Sequence, residues 1–176
     1  MTTLRPFVCD DLFTYNGVNL DPLTETYQLP FYLQYLAQWP EYFVAAEGAA
    51  GEIMGYICGK AEGKGRDWHG HVTAVTVSPQ YRRMGLAAKL MGVLEETTEK
   101  RHDAYFVDLF VRKSNALAIG MYTKFGYSVY RRVLNYYSGP QEEDAYDMRK
   151  AMPRDVEKKS VVPLDRPVEP WELEWS

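Results

Sequence analysis

Two cysteines, Cys9 and Cys58, in a chain of 176 residues exclude a disulfide-framed scaffold. They are far apart, without metal-ligand spacing, and each has apolar neighbours, so two reduced thiols are expected. Long apolar runs are also missing. Nothing approaches the ~20 residues of a membrane span, and the opening Met-Thr-Thr-Leu-Arg-Pro lacks an apolar signal region. A cytoplasmic protein is therefore expected. The net charge of −4 is the wrong sign for general nucleic-acid binding, although a local basic patch remains open. No internal repeat is visible.

What is present suits one globular domain with a sizeable core: 46% hydrophobic residues, none in membrane-length blocks. Fourteen tyrosines stand out, and core packing is their default use. The most informative stretch is Val75 to Ala87, Val-Thr-Val-Ser-Pro-Gln-Tyr-Arg-Arg-Met-Gly-Leu-Ala. A β-branched strand runs into Ser78-Pro79, then a basic turn, then a helix carrying Leu86, Leu90 and Leu94. First-turn amides of a helix have no carbonyl partner and the helix dipole favours negative charge there, so the stretch is suited to a pyrophosphate. With one glycine in the turn it does not satisfy the Gly-x-Gly-x-x-Gly dinucleotide fingerprint. Gly59-Lys60 fails as a phosphate loop, because Met54 stands where the first glycine belongs and Ala61 where the hydroxyl belongs.

The pattern that fits is Arg/Gln-x-x-Gly-x-Gly/Ala, met by Arg82, Gly85 and Ala87. It resembles the coenzyme A signature of the GCN5-related N-acetyltransferases. A second motif, Val111-Arg-Lys-Ser-Asn115 followed by Ala118, Met121-Tyr122 and Phe125-Gly-Tyr127, resembles the same family's pantetheine-binding helix. Asn115 and Tyr122 are seven residues apart, two helical turns, and can share one face. Asn115 also reads as an N-cap and Tyr122 as a core residue. Leu20 to Tyr27, Pro30 to Leu36, Trp39 to Tyr42, Trp68 to Thr73 and Asp144 to Lys150 resemble, more narrowly, the catalytic subunits of NatB-type N-terminal acetyltransferases.

The resemblance implies an α/β fold with a mixed central sheet of about seven strands flanked by about four helices. Residues 1–152 form the catalytic domain and 153–176 a Pro- and Trp-containing extension. It implies acetyl-CoA as co-substrate, no metal, and transfer to the α-amine of chains starting Met-Asp, Met-Glu, Met-Asn or Met-Gln. By the same resemblance Val75, Val77, Arg82, Arg83, Met84, Gly85, Leu86, Ala87, Asn115 and Tyr122 hold the coenzyme. Backbone N–H groups near Val75 and Val77 serve the oxyanion, and Tyr122 is the candidate general acid. Glu25, Tyr27, Tyr136 and Tyr137 wall the methionine slot, while His71 and Thr73 read the second side chain. The partners implied are a large helical-repeat auxiliary subunit, nascent N-termini and, through the complex, the ribosome. Other readings are a lysine or small-amine acetyltransferase of this fold, or an inactive acetyl-CoA-binding module.

Two physical limits accompany these expectations. His69 and His71 share a strand face, but no third ligand is evident nearby in sequence, so a metal site is not expected. Tyr136 and Tyr137, as neighbours in a strand, point oppositely unless a bulge intervenes. Along the chain, the patterns predict strands at Leu4–Val8, Tyr42–Glu47, Glu52–Ala61, His71–Val77 and Ala104–Val111. A hairpin is predicted from Tyr127–Tyr137 and Tyr146–Ala151 around an acidic loop at 139–144. Helices are predicted from Asp10–Asp11 to Tyr15, over Phe31–Leu36, from Arg82 to Lys100 and from Ser114–Asn115 to Gly126, with 17–30 a loop. The segment after Met152 is expected to be an extended tail without its own core, either a disordered end or an arm that docks on a partner through Trp171 and Trp175.

Overall fold

The computed structural model describes residues 1–19, 25–139 and 142–173. Residues 20–24 of the expected 17–30 loop, residues 140–141 of the expected acidic loop and the late Trp175 lie outside the described residues. In chain order the elements are β1 (Thr3–Pro6), α1 (Asn16–Asn19), α2 (Leu29–Gln38), β2 (Val44–Glu47), β3 (Ile53–Glu62), β4 (His69–Val77), α3 (Leu86–Lys100), β5 (Phe106–Arg112), α4 (Ala116–Lys124), β6 (Ser128–Tyr137) and β7 (Glu143–Ala151). The seven strands form one sheet in the order β1-β2-β3-β4-β5-β7-β6, as expected for an α/β fold of this size. Neighbours β1/β2, β2/β3, β5/β7 and β7/β6 are antiparallel. No helix among the described residues is long and apolar enough to cross a membrane.

The chain divides into two compact units, one of Met1–Lys60 with Val72–Thr97, the other of Ala61–His71 with Thr98 onward. In the first unit the core is aromatic. Phe7, Tyr32, Phe43 and Tyr56 are buried together with Leu12, Val18 and Ile53, and Phe7 stacks on Phe43 at 4.1 Å. Buried phenols need polar partners. Tyr56 donates to Asn19 Oδ1 at 2.7 Å, and Asn19 Nδ2 donates to the Tyr32 hydroxyl. The predicted loop therefore begins with helical turn at residues 17–19, because α1 places Val18 in the core and Asn19 against two tyrosines. Cys58 is buried in the same cluster, which pushes its thiol up to about 12 and leaves it protonated.

Other boundaries move for local reasons. Asp10 and Asp11 begin no α-helix. Cys9–Phe13 is a 3-10 turn in which Asp11 accepts from Val8 N–H at 2.8 Å and pairs with Arg5. Tyr42 belongs to a 3-10 turn started by Pro40 rather than to a strand. α3 starts at Leu86, four residues later than predicted, because Arg83 and Gly85 take left-handed backbone angles (φ 63° and 76°) that no helix tolerates. Its buried face is Leu86, Leu90, Met91, Leu94 and Thr98. Gly55 in β3 has a packing reason: a side-chain Cβ there would lie 2.6 Å from the Thr76 carbonyl oxygen.

In the second unit the residues after Met152 are neither free nor a separate core. Leu134 N–H donates to Val168 O and Val168 N–H donates to Arg132 O, both at 2.9 Å, so Val168 pairs along β6. Val168 and Leu173 are buried with Val133 and Ala145, while Trp171 stays 78% exposed. A charge at Val168 would lie buried without a partner. Val168→Asp is expected to lower unfolding stability by about 3 kcal/mol, and Trp171→Ala to change it by less than about 0.5 kcal/mol. Chemical denaturation monitored by circular dichroism checks both.

Candidate active site

In the first unit, the turn between β4 and α3 presents backbone N–H groups. Left-handed angles at Arg83 and Gly85 flank Met84, and alternation of this kind can curl successive amides into an anion-binding nest. An arginine held at φ 63° costs roughly 1–2 kcal/mol, so the turn keeps its shape against a local penalty. The first amide of α3 to find a helical carbonyl is Lys89, bonded to Gly85 O at 3.2 Å. The N–H groups of Leu86 and Ala87 belong to the first turn, where helical partners are lacking. Leu86 itself is 2% exposed, so it offers its amide and not its side chain. Arg82 donates from Nε to the Val77 carbonyl at 3.2 Å, tying the turn to the end of β4. Met84 and Arg83 are exposed.

Upstream, alternation places Thr73, Val75 and Val77 on one face of β4, each half-buried. The Thr73 hydroxyl meets the Tyr35 hydroxyl at 2.8 Å. Tyr35 packs on Phe31 at 4.6 Å, and Phe31 stacks on Tyr27 at 4.0 Å and 15°. α2 thus links Thr73 to Tyr27 through two aromatic rings. Tyr27 N–H also donates to the Tyr32 hydroxyl. Glu25 lies exposed at the start of the same segment. Phe31 and Tyr35 were legible only as helix residues; their place beside Thr73 needs the packing of α2.

In the second unit, Asn115 caps α4, its Oδ1 accepting from Ala118 N–H at 3.1 Å. Tyr122 lies two turns on and is buried. Burial pushes its phenol up to about 12, so it remains a neutral donor across physiological pH. Among the described residues its hydroxyl makes no hydrogen bond, while its ring meets Phe125 and Tyr127 edge-on. The N-cap and core readings of the two residues therefore hold, and leave the phenol uncommitted.

Tyr136 and Tyr137 both turn toward β5, against simple alternation. The β6–β7 register shifts between Val133 and Tyr137, with Asn135 left-handed at φ 48°, and this bulge re-aims one of them. Tyr136 stacks on Phe110 at 4.7 Å, and Tyr137 donates to the Phe110 carbonyl at 3.4 Å. Phe110 also meets the His71 ring at 5.7 Å. It joins three expected peptide-reading residues, a role its position in an apolar strand did not signal.

The absence of a third group near His69 and His71 is corrected by the fold. Glu62 of β3 and Asp108 of β5 are buried beside them. Ligand atoms of Glu62, His69 and His71 lie within 4.8 Å of one another. His71 Nδ1, however, is hydrogen-bonded to Asp108 Oδ1 at 2.7 Å. Hydrogen bonding and charge account for the arrangement without an ion. His69 Nδ1 contacts the Asp67 carbonyl at 2.5 Å, and its Nε2 lies 3.5 Å from Asp108 and 3.7 Å from Glu62. Burial alone would lower the His69 pKa, but the Asp108 charge, Glu62 and the Asp67 carbonyl raise it to about 9.

The acetyltransferase (GNAT) family profile matches residues 8–127, and the chain belongs to that family. Within it, the chain is 68% identical to an N-alpha-acetyltransferase 20 of Dictyostelium discoideum over 170 residues, covering 97% of each. It is 63% identical to the N-terminal acetyltransferase B complex catalytic subunit NAA20 of Arabidopsis thaliana, covering 99% of each. Among solved structures, Chaetomium thermophilum Naa20 in complex with a bisubstrate analogue superposes with a TM-score of 0.89 at 46% identity, over 96% of this chain and 97% of that one.

The His69 proton has a measurable consequence. Folded His69 holds a proton that the unfolded chain releases near pH 6.5, so its stabilisation is complete below pH 6.5 and is lost as pH rises through about 9. The loss is about 3 kcal/mol. Urea unfolding from pH 6 to 9.5 is expected to show this decline in the wild type and a flatter profile in His69→Gln.

Proposed function

We propose that the chain transfers acetyl from acetyl-CoA to the N-terminal methionine amine of proteins beginning Met-Asp, Met-Glu, Met-Asn or Met-Gln. It acts as the catalytic subunit of an N-terminal acetyltransferase B complex. The observation that carries this reading is the anion-binding turn 82–87, in a chain so similar end to end to subunits of that name. In this reading the pyrophosphate of the coenzyme takes the amides of Arg83 to Ala87, with Arg82 and Arg83 adding charge. Asn115 contacts the pantetheine arm and Tyr122 stands beside the sulfur.

The chemistry follows from few groups. A peptide α-amine has a pKa of about 7.7–8.0, so a useful fraction is neutral near pH 7.5 without a strong base. The amine attacks the thioester carbonyl, and the C=O electron pair moves to oxygen, where backbone N–H groups near Val75 and Val77 stabilise it. Collapse breaks the C–S bond. A phenol held at about 12 is a weak acid beside a thiol near 8.5. Tyr122 therefore donates a hydrogen bond to the departing thiolate, and the ammonium of the intermediate supplies the proton that finally rests on sulfur. This sharpens the general-acid role into charge stabilisation with proton relay.

Glu25, Tyr27, Tyr136 and Tyr137 hold the methionine and peptide backbone, and His71 and Thr73 read the second side chain. The large helical-repeat auxiliary subunit positions the enzyme at the ribosome in the cytoplasm. No metal takes part in this scheme.

An acetylation assay with Met-Asp, Ser-Ala and internal-lysine peptides, with and without the auxiliary subunit, tests the assignment. Met-Asp is expected to be the acetylated peptide; preference for the internal lysine would contradict the reading. Tyr122→Phe, which keeps the ring and removes the hydroxyl, is expected to lower kcat about 100-fold while the KM for acetyl-CoA changes less than about threefold. A KM effect alone would reduce Tyr122 to packing.

A further inference from the structure

His71 cannot choose its own tautomer. Its Nδ1 lies 2.7 Å from Asp108 Oδ1, with both side chains buried. A carboxylate only accepts, so this nitrogen must carry the proton; an unprotonated Nδ1 would set two lone pairs against each other. Asp108 is kept ionised. Burial opposes its charge, but His69, His71 and Arg149 together hold its carboxyl well below the usual range. The ring plane is fixed as well, with Phe110 packed at 5.7 Å and 49°.

We propose that Asp108 is the positioning residue that makes His71 present Nε2 to the second side chain of the peptide. The proposal rests on the reading of His71 given above. With Nδ1–H committed, Nε2 has two states. In the neutral ring it accepts, which suits the NH₂ of Asn or Gln; in the imidazolium it donates, which suits the carboxylate of Asp or Glu. One ring can thus serve all four second residues, and the acidic pair depends most on the Asp108 charge. His69 belongs to the support: its Nε2 is 3.5 Å from the same Asp108 oxygen, and its ring lies flat on Phe106 at 4.6 Å and 4°.

Asp108→Asn keeps the shape but lets the amide face His71 with either end. In the complex with the auxiliary subunit, it is expected to raise KM for Met-Asp and Met-Glu peptides at least about tenfold. Met-Asn and Met-Gln should be affected less, and kcat by less than about threefold. In the His71→Ala background the same substitution should add less than about twofold, because its effect passes through the ring. Losses that multiply in the double variant, or equal losses on all four peptides, overturn the proposal. If His71→Ala leaves the second-residue preference intact, the reading of His71 has failed instead. Should Asp108→Asn not fold, the wild type decides. Selective ¹⁵N labelling of the three histidines in the full chain is expected to show Nδ1 protonated in His71. A ring with its proton on Nε2 alone overturns the proposal.

Discussion

Backbone amides at the start of a helix have no carbonyls to bond, and the candidate coenzyme site depends on that shortage. α3 could have begun at Arg82 and covered its first turn with ordinary polar caps. Instead Arg83 and Gly85 are left-handed and the helix waits until Leu86, whose first-turn N–H groups lack helical partners. The arginine at φ 63° tolerates a conformation that favours glycine. Leu86, Leu90, Met91 and Leu94 anchor the helix in the core and hold the turn rigid from below. Sequence, local strain and packing converge on a turn suited to the phosphate that the proposed function places there.

A second constraint runs through the acceptor residues. Four of the expected peptide-reading side chains have a neighbour that limits their motion. Tyr27 stacks on Phe31, Thr73 is hydrogen-bonded to Tyr35, His71 is hydrogen-bonded to Asp108, and Tyr136 lies on Phe110. Rigid aromatic rings with polar tips suit a pocket that must hold an apolar methionine and still bond a peptide backbone. Under the proposed function, the unusual tyrosine count has a purpose beyond bulk. Tyr32 and Tyr56 are core, while Tyr27, Tyr136 and Tyr137 keep partial exposure.

Local information was legible in the sequence; associations between distant strands were not. The order of strands and helices, the phosphate turn and the Asn115–Tyr122 spacing all follow from short-range patterns of side-chain type. The late start of α3 did not, because backbone handedness at Arg83 has no composition signal. Glu62 and Asp108 were invisible as partners of the histidines, since only strand adjacency places β3 and β5 beside β4. Likewise the bulge at Asn135 decides where Tyr136 and Tyr137 point, and alternation alone forbade what the structure does. Composition suggested a loose tail, yet burial of Val168 and Leu173 and backbone bonds from Leu164 and Val168 dock it along β6.

The proposed function stands first on turn 82–87 receiving the coenzyme. Hydrogen–deuterium exchange of the full chain, with and without acetyl-CoA, tests it at the level of single amides. The account predicts slowed exchange on binding at residues 83–87 and in α4, with β1 unchanged. Unaltered exchange in the 83–87 turn at saturating acetyl-CoA would contradict it.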